Sequence, residues 1–177
     1  MLKRSVALLL TLFSFSCFAA PTSDKLFSVI NERLSYMEDV ALFKAQKHKA
    51  IEDIKREEVV IAKASASAAK AGLNEGSVVA FFKAQISAAK AIQYRYRADL
   101  LSHPVKKEPR DLKTVIRPAL IKLGGQINSE MAGFLAEGGE LTEKDWPSFK
   151  QTLQQQYLNA GDKRMLFDAL SKVELKK

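Results

Sequence analysis

The sequence predicts an all-α protein, a bundle of about six helices. Three observations carry that expectation. Strand signals are nearly absent, with no sustained Val/Ile/Thr alternation and no Asn-Gly or Asp-Gly hairpin turn. Ala, Leu, Lys, Glu and Gln dominate, and all are good helix formers. Breaker residues gather at Gly72–Ser77, Ser102–Pro109, Glu137–Thr142 and Asn159–Asp162, and they divide the chain into helical stretches.

Residues 1–20 stand apart from that pattern. A positive "MLKR", the apolar run "SVALLLTLFSF" and small residues in "SCFAA" follow the layout of a cleaved secretory signal, too short to span a membrane. Cleavage is expected after Ala19 or Ala20, giving an exported protein (periplasmic or secreted) with no stable membrane association. A lipid anchor on Cys17 fits less well, because Ser14 and Ser16 replace the expected leucine. Residues 21–177 then form a single domain. Cys17 is the sole cysteine and leaves with the signal, so no disulfide is expected and helix packing alone holds the fold. Lys3 and Arg4 leave too, lowering the formal charge from +8 to +6. A positive balance suits anionic partners, and export makes nucleic acid the least suitable of them.

The first predicted helix, 23–46, has Leu26, Ile30, Leu34, Met37 and Ala41 as its apolar stripe. Arg33 and Lys44 are eleven residues apart, and eleven steps of about 100° return to within roughly 20° of the start. They therefore line one edge of the helix, as pocket residues or as snorkelling surface cations. The second helix, 53–71, carries Asp53, Arg56 and Glu57 at i, i+3 and i+4, a shared face with Asp53 placed to cap it. Asp53 lies nine residues beyond Lys44, about 180° away on a straight rod. The two groups converge only if the chain turns between Gln46 and Glu52; otherwise one long helix carries ordinary charge pairs.

The third helix, 76–101, shows a seam of Val79, Phe82, Ile86, Ala89, Gln93, Tyr96 and Leu100 at alternating 3-4 spacing. Gln93 is either a buried amide that fixes register or a hydrogen-bond donor facing space beside Ala89. Further helices are expected at 111–136, 143–158 and 162–174, with Asp111, Thr142 and Asp162 as N-caps. Only His48 and His103 remain alongside the carboxylates, so no metal set or Cys–His pair is available, and no metal or cofactor is expected. The Tyr94–Arg97 cluster is a weak candidate for base stacking.

"NERL" around Arg33, "VALFKAQ" around Lys44, "IEDIKRE" around Asp53, Arg56 and Glu57, and "QISAAKAIQYRYRADL" around Gln93 resemble the all-helical chorismate mutases. The signal and extra C-terminal helices resemble their exported subclass, the gamma subclass of the AroQ class. The similarity runs from Asp24 to Phe134, so the resemblance places the catalytic core at about 24–135 and adds C-terminal helices over 136–177. It implies a type II chorismate mutase-like fold and an isomerase that converts chorismate to prephenate as a homodimer.

That reaction is a unimolecular pericyclic rearrangement, requiring a folded substrate and stabilisation of charge on the breaking ether oxygen. By resemblance, Arg33 and Arg56 hold the substrate carboxylates, since a guanidinium matches a carboxylate edge. Lys44 and Gln93 donate to the ether oxygen. Asp53 and Glu57 orient the ring hydroxyl or hold the basic groups. Arg117, in "DLKTVIRPAL", matches the arginine that the exported subclass takes from its own later helix, and Pro118 suggests a kink there.

The chain departs from some relatives at Gln93, where they carry glutamate, and at Val60, Ala89 and Lys90, which replace polar, hydroxyl or acidic residues. An amide donates without protonation, so no acidic pH is required. A competing expectation is a helical periplasmic adaptor or chaperone that binds acidic partners through its basic faces.

Overall fold

The computed structural model describes residues 21–177; the expected signal, Cys17 and the cleavage position lie outside them. Seven α-helices and one π-helical turn form the bundle, with no strand among the described residues. They are α1 (Asp24–Ser35), α2 (Met37–Gln46), α3 (Ile54–Lys70), α4 (Glu75–Ser102), the π-turn Leu112–Ile116, α5 (Arg117–Ala136), α6 (Trp146–Thr152) and α7 (Ala160–Leu170).

The predicted first helix is two helices. Its stripe is buried as expected, but the helix is interrupted at Tyr36, where the Arg110 guanidinium stacks 4.2 Å above the ring. Arg110 and Lys107 also pair with the carboxylate of Asp39, fastening the segment after α4 beside this interruption. Nothing in the local sequence marks it.

After α2 the chain turns sharply. His48 takes a left-handed φ of 50°, and the Lys49 amide donates to the Lys44 carbonyl at 2.8 Å. Buried Ile51 anchors the turn. Asp53 then caps α3, its Oδ1 accepting from the Arg56 amide at 3.1 Å. Histidine tolerates the left-handed region better than most side chains, which explains a turn without Gly or Pro.

The 28-residue α4 is the spine, packing against α2, α3 and α7. Contact on several sides broadens its buried face to Val78, Phe81, Phe82, Ala84, Gln85, Ala88, Ala89, Ile92 and Gln93. The predicted two-position seam is thus too narrow, and Val79 and Ile86 are half-buried.

Three further expectations need correction. Pro118 does not distort Arg117, which is helical at φ −61°, ψ −44°. The proline is the second residue of α5, and the widening lies in the π-turn Leu112–Ile116 that runs directly into it. Asn159, not Asp162, caps α7; Asp162 is the third helical residue of a reciprocal capping box. The predicted 143–158 helix shortens to α6, and Thr142 opens a turn with Asp145 instead of capping it. Asn31 Oδ1 accepts from the Gln154 amide at 3.1 Å and from Gln155 Nε2 at 2.8 Å, drawing that backbone out of helical geometry.

The C-terminal helices are integral to the core. Phe27 meets Phe149 edge-on at 5.0 Å, and Trp146 and Phe167 complete the aromatic cluster. Arg95 donates to Asp162 and to the Tyr157 carbonyl, and Tyr96 packs on Tyr157, so part of the Tyr94–Arg97 cluster secures α7 to α4. Asp111 caps as expected, accepting from the Lys113 and Thr114 amides.

Candidate active site

The turn at His48 redirects the chain so that α3 packs on α4 and α5, while α2 packs on the same α4 and α1 on α5. A cavity of about 250 Å³ results. Its wall includes Arg33, Lys44, Asp53, Arg56, Gln93 and Arg117, six of the seven residues singled out from sequence. The seventh, Glu57, lies in an adjoining recess that shares Arg33, Lys44, Asp53, Arg56 and Gln93. Arg33 comes from α1, Lys44 from α2, Arg56 from α3, Gln93 from α4 and Arg117 from the start of α5.

The wall is strongly cationic. Arg33, Lys44, Arg56, Lys63 and Arg117 face a single carboxylate, Asp53. The remaining surface is largely apolar, formed by Met37, Val40, Phe82, Leu112, Leu120 and Ile121. Burial pushes Arg33 down to about 10. Burial also lowers the Lys44 ammonium from its ordinary 10.5; Asp53 and Glu57 counteract this, while Arg117 and Arg97 add to it.

Lys44 is held by two acceptors and has a third N–H to spare. Its Nζ donates to the Ile51 carbonyl at 2.5 Å and to Gln93 Oε1 at 3.2 Å, leaving a third N–H for a ligand. The Gln93 amide is oriented by the same contact. Its Nε2 donates one proton to the Ala89 carbonyl at 3.1 Å and lies 3.7 Å from Met37 Sδ, a weak acceptor. Gln93 therefore both knits the core, at 5% exposure, and faces the cavity.

Glu57 pairs with Lys90 at 3.1 Å, and Glu52 lies 3.7 Å from the same ammonium. Lys90, read from sequence only as a departure, thus occupies the Glu57 carboxylate. Sequence reasoning also missed Gln85, whose Oε1 accepts from Arg33 Nη1 at 2.7 Å. Its signal was present: Gln85 falls on the buried spacing of Phe81, Ala88 and Ile92, one position from the predicted Ile86. The apolar wall from Leu112, Leu120 and Ile121 carried no distinguishing pattern.

Among the described residues, no group of three or more His, Cys, Asp or Glu is placed to hold a metal, and no helix is long and apolar enough to cross a membrane. A helical bundle enclosing a cationic, mostly apolar cavity with a lysine–amide donor pair defines a protein built to hold a small, multiply anionic molecule. The comparisons with known proteins give that class its family. The profile of chorismate mutase type II matches residues 23–94. A secreted chorismate mutase of Yersinia pestis is 43% identical over 149 residues, covering 84% of this chain and 80% of that protein. A monofunctional chorismate mutase of Enterobacter agglomerans is 39% identical over 148 residues, covering 83% and 81%. The crystal structure of the Yersinia pestis secreted enzyme superposes with a TM-score of 0.80 at 40% identity, covering 86% of this chain and 98% of that one. The chain belongs to the chorismate mutase type II family, whose members are isomerases.

Proposed function

We propose that the cavity is the site at which this chain rearranges chorismate to prephenate, with each wall residue in a distinct role. The observation that carries the assignment is the Lys44–Gln93 pair, two oriented donors set among three arginines. The substrate has two carboxylates, and Arg33 and Arg56 bind them, with Arg117 closing the cavity from α5. Clamping both ends brings the enolpyruvyl side chain over the ring, the reactive conformer. One C–O bond then breaks as one C–C bond forms. No proton or leaving group is exchanged, so no general acid, base or nucleophile is needed.

Negative charge grows on the ether oxygen as its bond to the ring lengthens. The spare Lys44 proton and the second Gln93 amide proton stabilise that charge more than they stabilise the ground state, and that difference accelerates the reaction. Asp53 orients the ring hydroxyl, and Glu57, occupied by Lys90, holds the basic groups in place. Every group named comes from one chain, so the site does not depend on a partner's arginine, although we expect a homodimer from the family resemblance. Export follows from the signal layout and from the secreted relative, with cleavage near Ala19 or Ala20.

Equilibrium titration of prephenate tests the binding roles. Saturable binding by the wild type, weakened at least about tenfold in Arg56→Ala and Arg33→Ala, is expected. Equal affinities in all three proteins would remove the carboxylate assignment.

A further inference from the structure

Gln85 sits one turn before Ala89 on α4 and reaches neither the cavity nor the recess. It is fully buried at 0% exposure and spends its carbonyl oxygen on Arg33 Nη1, at 2.7 Å. Arg33 itself is 6% exposed, and among the described residues no carboxylate pairs with it. Its other aid is the Phe82 ring, whose centroid lies 5.9 Å from the guanidinium carbon. Among the described residues, Arg33 Nε and Gln85 Nε2 have no hydrogen-bond partner. Burying an unpaired guanidinium is costly, and a core normally answers with a carboxylate. Here the answer is an amide of the same length as glutamate. An amide oxygen accepts an N–H bond and fixes direction, but it cancels no charge.

From this arrangement we infer that Gln85 is a positioning residue for substrate binding: it aims Arg33 into the cavity while leaving the full positive charge for a substrate carboxylate. The inference rests on the assignment of Arg33 to that carboxylate. Glutamate at position 85 would fix the guanidinium equally well and neutralise it, while leucine would leave the charge but release its direction. Affinity for an anion is thus set from a position that never touches it.

Two variants separate these effects: Gln85→Glu, which keeps size and shape, and Gln85→Leu, which removes the acceptor. For each, KM and kcat for chorismate, thermal stability, and the side-chain Nε–H nuclear magnetic resonance signal of Arg33 are measured, the signal being assigned by its loss in Arg33→Lys. Gln85→Glu is expected to be at least as stable as the wild type, to keep the Arg33 signal sharp, and to raise KM about tenfold or more with kcat within about threefold. Gln85→Leu is expected to raise KM comparably and to broaden the Arg33 signal. Unchanged KM in Gln85→Glu, or an unaltered Arg33 signal in Gln85→Leu, overturns the inference. If the wild type itself does not rearrange chorismate, the functional assignment fails, and the resonance comparison still decides whether Gln85 holds Arg33.

Discussion

Lys44 and Gln93, 49 residues apart in sequence, meet at 3.2 Å across the cavity wall; Lys44 keeps one N–H for a ligand, and the second Gln93 amide proton is met only by the weak acceptor Met37 Sδ. The pair exists because α2 and α4 pack together and because Ile51, in the turn after α2, supplies a carbonyl that steadies the ammonium. Loss of either donor should lower kcat by about two to three orders of magnitude, the usual cost of one oriented transition-state hydrogen bond. Lys44→Ala and Gln93→Ala are expected to show this under saturating chorismate. Retention of kcat within about threefold in either variant contradicts its role.

Gln93 donates without being protonated, so the wild type should show no acidic requirement from this position. Gln93→Glu introduces a group that donates only as the acid. Its kcat should rise as pH falls and decline about tenfold per unit above the carboxyl pKa. A pH–rate profile measured from acidic to alkaline pH checks this; full activity at alkaline pH would remove Gln93 from the mechanism.

The strap after α4 has its own pH dependence. Burial alone would raise the Asp39 carboxyl, but hydrogen bonds and charges from Arg110 and Lys107 outweigh it and hold the group below its ordinary 3.8. A carboxyl depressed in the folded state stabilises the fold above the unfolded value, and that contribution is lost as pH falls through the folded one. Asp39→Asn should therefore cost about 1–3 kcal/mol at neutral pH, with Lys107 and Arg110 partly exposed, and the deficit should shrink towards about pH 3. Urea unfolding at both pH values tests it; a deficit independent of pH rules out the ionic account.

The bend at His48 places α3 over the site. His48→Gly should leave stability within about 1 kcal/mol, because glycine adopts a positive φ without strain. His48→Val should cost about 1–2 kcal/mol, since a β-branched residue resists that conformation, and it should lower kcat/KM by moving Asp53 and Arg56. Thermal unfolding with parallel kinetics decides; equal behaviour of the two variants would show that the bend is set elsewhere.

Legibility of the molecule in its sequence follows the range of the forces involved. The stripe of α1 and α2 and the caps at Asp53 and Asp111 were readable because they depend on neighbours within one or two turns. The need for a turn after Gln46 was readable too, from the angle between Lys44 and Asp53. The interruption at Tyr36 was not, because Arg110, 74 residues away, stacks there. The shortened α6 was hidden for the same reason, being shaped by Asn31 across the bundle, and the burial of Gln85 was readable from its spacing but its pairing with Arg33 was not. Arg117 was singled out by resemblance, and only the accompanying expectation of a kink at Pro118 fails, since Arg117 is helical.

The central claim is that this single chain, through groups of its own cavity, rearranges chorismate without any cofactor. Its most direct test is the first-order loss of chorismate absorbance at neutral pH, with purified protein in the presence of a metal chelator and prephenate identified as the product. The account expects acceleration of about 10⁶-fold or more over the uncatalysed reaction, undiminished by the chelator. No acceleration, or activity that disappears with the chelator, would contradict it.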